Sequence, residues 1–175
     1  MGGGKILRFQ RYMRIVSYYK SLERRNFIDY ILWKLASLKF KRLSEDLGFS
    51  IGTDVFGYGL LIPHYGTIVV NEDVRVGNYC VLHTSTCIGG ANKVIGDALY
   101  LSAGAKIMGN LTLGNGVSIA ANSLINKSFG DNILLTGMPG AVKKDNYPMW
   151  YERDGEIFSM RVQRIEDLKK KMGIV

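Results

Sequence analysis

The chain has 175 residues, 47% of them hydrophobic and 22% charged, with 21 Gly against 3 Pro and a formal net charge of +8. That length fits one globular domain with small appendages, and the turn-dense composition, with a mean hydropathy near zero, argues against a disordered chain. No run approaches the ~18 apolar residues of a membrane span, and the opening MGGGKILRFQRYMR lacks the apolar stretch and cleavage site of a secretory signal, so a cytoplasmic location is expected.

The positive charge is concentrated at the start. Eleven Lys or Arg lie between Lys5 and Arg42, against only Glu23 and Asp29, among apolar residues such as Ile6, Phe9, Met13, Val16, Phe27, Ile31, Leu35 and Leu38 at helical spacing. Residues 1–47 are therefore expected to form a basic segment of two helices, with Asn26 as the break and cap between them. Such helices pack on the rest of the chain or on a neighbouring copy and keep their charges in water. The alternative is peripheral contact with the anionic inner face of a membrane. The basic residues stand in no nucleic-acid-binding motif, and no nucleic acid partner is expected.

From residue 48 the pattern changes. Gly48, Gly52, Gly57 and Gly59 follow the helical run, and Ile51 with Val55 reads as a first hexad before the irregular LLIPHYG. An aliphatic residue then returns at Val70, Val76, Leu82 and Ile88, steps by seven to Ile95, and recurs every sixth position at Leu101, Ile107, Leu113, Ile119 and Ile125. From Ile95 on, each of these is followed four places later by Leu99, Ala105, Leu111, Val117, Ser123 and Phe129. Period six fits neither a helix nor a simple alternating strand. It is the signature of a parallel β-helix, in which each hexad is one flat side of a prism, three hexads make a coil, and Gly and Asn turn the corners. The one added residue, in GGANKV, belongs to a corner loop. Cys80 falls at an inward position and Cys87 shares no metal-binding spacing with it, so both are expected to be reduced.

Residues 145–175 follow the Gly- and Pro-rich exit LLTGMPGAVKKDNYP. Ile157 to Met172 reads as a charged helix with Ile157, Met160, Arg161, Ile165, Leu168 and Met172 near one face, and Lys169, Lys170 and Lys171 suit its C-terminus. It is expected to be a solvated cap that takes no part in chemistry.

Candidate chemistry rests on two histidines, His64 and His83, nineteen residues apart. One coil of three hexads is about eighteen residues, so the two imidazoles are expected on neighbouring coils near one corner, with His83 pointing outward. Histidine suits proton abstraction from a hydroxyl near neutral pH. Metal binding is not expected, because no third ligand stands at a recognisable spacing.

The run HYGTIVVNEDVRVGNYCVLHTSTCIGG, with LSAGAKIMGNLTLGNGVSIAANSLI and TGMPGAVKK, resembles the hexapeptide-repeat acyltransferases with a left-handed β-helix, in particular their serine O-acetyltransferase-like branch, which includes enzymes modifying bacterial surface polysaccharides. The resemblance covers residues 48–144. It implies a mainly β fold, acetyl-CoA as acyl donor, a homotrimer and an active site in the cleft between two prisms. His64 in HYGTIVV matches the general base of the HATGIVV-type motif, at the same spacing to Ile-Val-Val. His83 matches a histidine common in the polysaccharide-modifying members, implying a role in positioning the acceptor or stabilising the oxyanion. Ala103 and Ala121, one coil apart, match the small residues lining the groove for the pantetheine arm, with Gly89 and Gly137 assigned to cofactor binding beside them. Lys143 and Lys144, after the family's GVPA-type turn, are matched to the phosphates of CoA, with solvated charges as the alternative. Either Glu72, which matches a Glu in the motif, or Asp54 orients His64.

The departures from the family pattern concern the acceptor. Serine acetyltransferases carry an Asp immediately before the base, where this chain has Pro63, and another upstream, where Ser50 stands. They also carry an Arg-His pair that holds the serine carboxylate in a loop corresponding to GGANKVIGDALY, which has neither. The expected reaction is therefore transfer of acetyl from acetyl-CoA to a sugar hydroxyl in surface or capsular polysaccharide biosynthesis, with serine a poor acceptor. The alternatives are a serine O-acetyltransferase with a divergent acceptor site and a non-catalytic β-helix scaffold.

Overall fold

In a computed structural model, which describes residues 3–173, the basic segment is two helices, α1 (Gly3–Ser21) and α2 (Phe27–Leu47). Asn26 caps α2 as expected: its side chain accepts from the Asp29 N–H at 2.8 Å while the Asp29 carboxylate accepts from the Asn26 N–H, a reciprocal capping box. Gly48 ends the helix in the left-handed conformation, at φ 75°. Ile6, Phe9 and Met13 of α1 are buried in the same cluster as Leu47, Phe49 and Ile51, so α1 plugs the open end of the prism. α2 rests on α1 and leaves Phe27, Ile28, Leu35 and Leu38 exposed.

The hexads form a three-sided parallel β-helix. Sheet 1 stacks Phe49–Ile51, Ile68–Val70, Thr86–Ile88, Lys106–Ile107 and Leu124–Ile125. Sheet 2 stacks Arg75–Val76, Val94–Ile95 and Thr112–Leu113, and sheet 3 stacks Val81–Leu82, Tyr100–Leu101, Ser118–Ile119 and Leu134–Gly137, with Gly140–Lys144 added antiparallel. The residues recurring every sixth position all point inward: Leu82, Ile88, Leu101, Ile107, Ile119 and Ile125 are fully buried. Each such side chain contributes about 1.5–3 kcal/mol, and together they are the core.

The register records the irregularities of the sequence. Coils pair at a step of eighteen residues, as in Lys106 with Leu124 and Tyr100 with Ser118. The step is nineteen across the added residue, as in Val81 with Tyr100 and Cys87 with Lys106. The first coil departs further. Leu61 is bridged to Val81 and Ile68 pairs with Thr86, so residues 62–67 span a corner that residues 82–85 span in the next coil. Those two extra residues carry His64 outward. Gly66 closes the corner at φ 132°, a conformation open to glycine, with the Thr84 hydroxyl where a Cβ would stand.

The C-terminal part differs from its sequence reading. After α3 (Trp150–Arg153), α4 (Glu156–Met172) packs through Phe158, Val162 and Ile165 on a cluster containing Tyr58, Tyr79, Trp150 and Tyr151. Of the face read from the sequence, Ile157, Met160, Leu168 and Met172 are exposed. Helical spacing reveals an apolar stripe but not which of two adjacent stripes meets the aromatic cluster. α4 is thus docked, with Glu166 accepting from the Tyr58 and Tyr79 hydroxyls and pairing with Lys169 at 3.0 Å.

Candidate active site

The edge where sheet 3 turns into sheet 1 gathers most of the candidate residues. In coil order it carries His64, His83, Ala103, Ala121 and Gly137, because the first four occupy corners that follow a sheet 3 strand or bridge and Gly137 ends the last parallel strand of that sheet. His64 is exposed on its long corner and takes no side-chain hydrogen bond among those found for the described residues. His83 is half-buried, with Nε2 2.9 Å from the Tyr100 hydroxyl and the rings 5.2 Å apart. Burial, and then the positive charge that His64 can carry, hold the His83 imidazole below its ordinary pKa, while Asp154 opposes them. His83 is therefore neutral at physiological pH.

Ala103 and Ala121 are exposed on neighbouring coils, and the Ala103 carbonyl accepts from the Asn122 N–H at 3.0 Å. Neither alanine's N–H is engaged by a backbone carbonyl among the described residues. Two free donors, one coil apart and beside small side chains, suit the amides of a pantetheine arm. Gly137 N–H donates to the Ser123 hydroxyl at 3.1 Å and continues this line.

Glu72, Asp54 and Gly89 lie elsewhere. They occupy the next edge, after the sheet 1 strands, and line a groove of about 860 Å³ bounded by α2 and sheet 1. Asp54 is held there by Ser17, by Thr53 at 2.9 Å and by Lys20 at 3.6 Å. The burial that raises its pKa is outweighed by those hydrogen bonds and the Lys20 charge, so the carboxyl lies below its usual range. A single chain thus places neither Glu72 nor Asp54 on the edge of His64. Lys143 and Lys144 are exposed at the far end of the antiparallel strand, where Lys144 pairs with Leu134 and lies over the Tyr147 ring at 5.8 Å.

Sequence reasoning missed Tyr100 and Arg153. The nineteen-residue register brings Tyr100 beside Val81, two residues before His83, and that signal was available in the spacing. Arg153, outside the repeats, carried none. Its guanidinium donates to the Tyr147 hydroxyl at 2.7 Å and the Ser118 hydroxyl at 3.1 Å, and it lies over the rings of Tyr147 and Tyr100.

A scan against models of known protein families finds none that matches the chain. Individual relatives do match. The serine acetyltransferase of Synechococcus elongatus is 27% identical over 131 residues, 66% of this chain and 54% of its own length, and that of Staphylococcus xylosus is 28% identical over 156 residues, 82% and 69% of the two chains. A solved serine acetyltransferase of Neisseria gonorrhoeae in complex with serine superposes with a TM-score of 0.53 at 28% identity, over 62% of this chain and 47% of that one. A serine acetyltransferase in complex with CoA gives 0.56 at 25% identity, over 65% and 49%. The chain is similar to the serine acetyltransferases, which are hexapeptide-repeat enzymes. Its fold is the left-handed parallel β-helix of those enzymes, and it spans about half the length of most of these relatives.

This similarity overturns the expectation of a sugar hydroxyl in polysaccharide biosynthesis, and with it that of serine as a poor acceptor: the relatives named above are serine acetyltransferases. The expectation assumed that a carboxylate must be met by an Arg-His pair in GGANKVIGDALY. Two other cations stand out in the fold. Lys93 fills an inward position in that very segment, fully buried, with Nζ unpartnered and its pKa lowered by burial. Arg153, from the C-terminal segment, lies over the Tyr100 ring, whose hydroxyl meets His83.

Proposed function

We propose that this protein is an acetyl-CoA-dependent O-acetyltransferase whose acceptor is the hydroxyl of serine or a comparably small molecule. The observation that carries the reading is the single edge on which His64 and His83 precede Ala103, Ala121 and Gly137, setting a base beside the free N–H groups of Ala103 and Ala121. The relatives' names, the solved complex with serine and the one with CoA support the choice of acceptor and donor.

In this reading the thioester lies along Ala103 and Ala121 and the acceptor lies at the histidines. His64 takes the proton of the acceptor hydroxyl as its oxygen attacks the thioester carbonyl carbon. The tetrahedral intermediate collapses with loss of the CoA thiolate, which receives the proton from the His64 imidazolium. His83, held neutral and fixed by Tyr100, stabilises the developing oxyanion if its N–H faces the carbonyl oxygen.

The missing carboxylate argues for association. Three copies packed edge to side bring the edge bearing Glu72 and Asp54 of one prism towards the histidine edge of the next, completing a site that each chain holds in two halves. The test is to incubate purified protein with acetyl-CoA and serine and follow CoA release and O-acetylserine by mass spectrometry. Both products are expected. Absence of O-acetylserine while acetyl-CoA binds would remove serine from the reading.

A further inference from the structure

The C-terminal segment brings two opposite charges to the histidine edge. Trp150 anchors it, its Nε1 donating to the Tyr79 carbonyl at 2.7 Å in a buried bond. Arg153 is then fixed from three sides: Nη1 on the Tyr147 hydroxyl, Nη2 on the Ser118 hydroxyl, and the guanidinium plane on Tyr147 at 4.4 Å and over Tyr100 at 5.5 Å. Tyr100 is itself bound to His83. A chain of contacts therefore runs from the guanidinium to the catalytic edge through one tyrosine.

What this arginine lacks is an anion. Its Nε is buried without a partner, Nη1 and Nη2 each retain a second N–H, and no carboxylate pairs with it among the described residues. Burying and aligning a guanidinium costs desolvation that neutral hydroxyls recover only in part, whereas a carboxylate docking on the free N–H groups recovers it through charge-assisted bonds. The next residue, Asp154, is exposed, forms no ion pair among the described residues, and its charge bears on both His83 and Tyr100.

We infer that Arg153 and Asp154 are the acceptor-recognition pair, the guanidinium taking the α-carboxylate and the carboxylate taking the α-ammonium of a small hydroxy-amino acid whose hydroxyl lies at the histidines. Adjacent residues of opposite charge match a zwitterion whose two charges are separated by one carbon. A neutral sugar would leave both uncompensated. The assignment rests on the acetyl-transfer reading above. It replaces, from another element of the fold, the Arg-His loop that the segment GGANKV does not supply.

Kinetics with the full chain tests it, using acetyl-CoA with serine and with serinol, which keeps the ammonium and hydroxyl but has no carboxylate. The wild type prefers serine over serinol in kcat/KM by about 10–100-fold, the range of hydrogen bonds to charged groups. Arg153→Gln raises the KM for serine by about that factor, leaves the KM for acetyl-CoA unchanged and abolishes the preference, while Arg153→Lys restores part of it. Asp154→Asn, at an exposed position without folding risk, raises the KM for serine about tenfold and affects serinol equally, because both carry the ammonium. A rise in the KM for acetyl-CoA alone in Arg153→Gln would place Arg153 on a CoA phosphate, and an unchanged serine KM in Asp154→Asn would remove Asp154; either overturns the pair. A wild type that turns over no serine would overturn the functional reading itself, and the pair with it.

Discussion

His64 and His83 share an edge but sit in different electrostatic settings. His64 stands on a corner lengthened by two residues and is open to an acceptor, whereas His83 is covered and tied to Tyr100. The His83 titration reports on both neighbours. Its pKa is lowered first by burial, then by His64, and raised by Asp154. In an NMR titration His64→Ala is therefore expected to move His83 to higher pH and Asp154→Asn to lower pH; no change in either would mean that the three groups do not share a site. The one-coil spacing of the histidines was legible because the repeat fixes corners. The buried cations were not: Lys93 reads as an ordinary surface lysine until the register shows it inward, and Arg153 reaches Tyr100 through tertiary packing that no local pattern announces.

The coil is the element, and glycine corners set its spacing. At Gly96 an added Cβ would lie 2.8 Å from the Asn115 N and from the Gly114 carbonyl carbon, both backbone atoms that cannot swing away. The same edge is tied by a ladder of side chains: Asn78 N–H to Asp97, Asp97 N–H to Asn115 and Asn115 N–H to Asp131, at 2.7 to 2.8 Å. Gly96→Ala is expected to lower stability by about 1–3 kcal/mol, read as a shift in the urea midpoint without change in slope. The hexads made this architecture readable, since period six excludes helix and alternating strand. For α4 the periodicity located the helix, but of the apolar residues on the face it selected only Ile165 packs on the aromatic cluster. Its docking also depends on pH. Hydrogen bonds from Tyr79 and Lys169 hold the Glu166 carboxyl down to about 2, against an ordinary 4.5. A depressed carboxyl stabilises the fold above its unfolded pKa and loses that contribution as pH falls from about 4.5 to 2. Glu166→Gln is thus expected to destabilise the protein at pH 7 and to differ little from wild type near pH 2. An equal deficit at both would show that the carboxylate charge contributes nothing.

At the scale of the molecule, the two sets of candidate site residues lie on different edges. His64, His83, Ala103 and Ala121 occupy one, and Glu72, Asp54 and the groove of about 860 Å³ occupy the next. An exposed apolar stripe on α2, with Phe27, Ile28, Leu35 and Leu38, and another on α4, with Ile157, Met160, Leu168 and Met172, are available for burial between copies. Light scattering is expected to give the mass of three chains of 19.5 kDa; a monomer that retains full activity would contradict a shared cleft. The central claim is that His64 is the base that activates the acceptor hydroxyl. Its most direct test is kcat for acetyl transfer from acetyl-CoA to serine in His64→Ala against the wild type, with the acetyl-CoA affinity of each measured alongside. A fall of about 10²–10⁴-fold in kcat with acetyl-CoA affinity retained is the predicted result. Undiminished turnover in His64→Ala would contradict it.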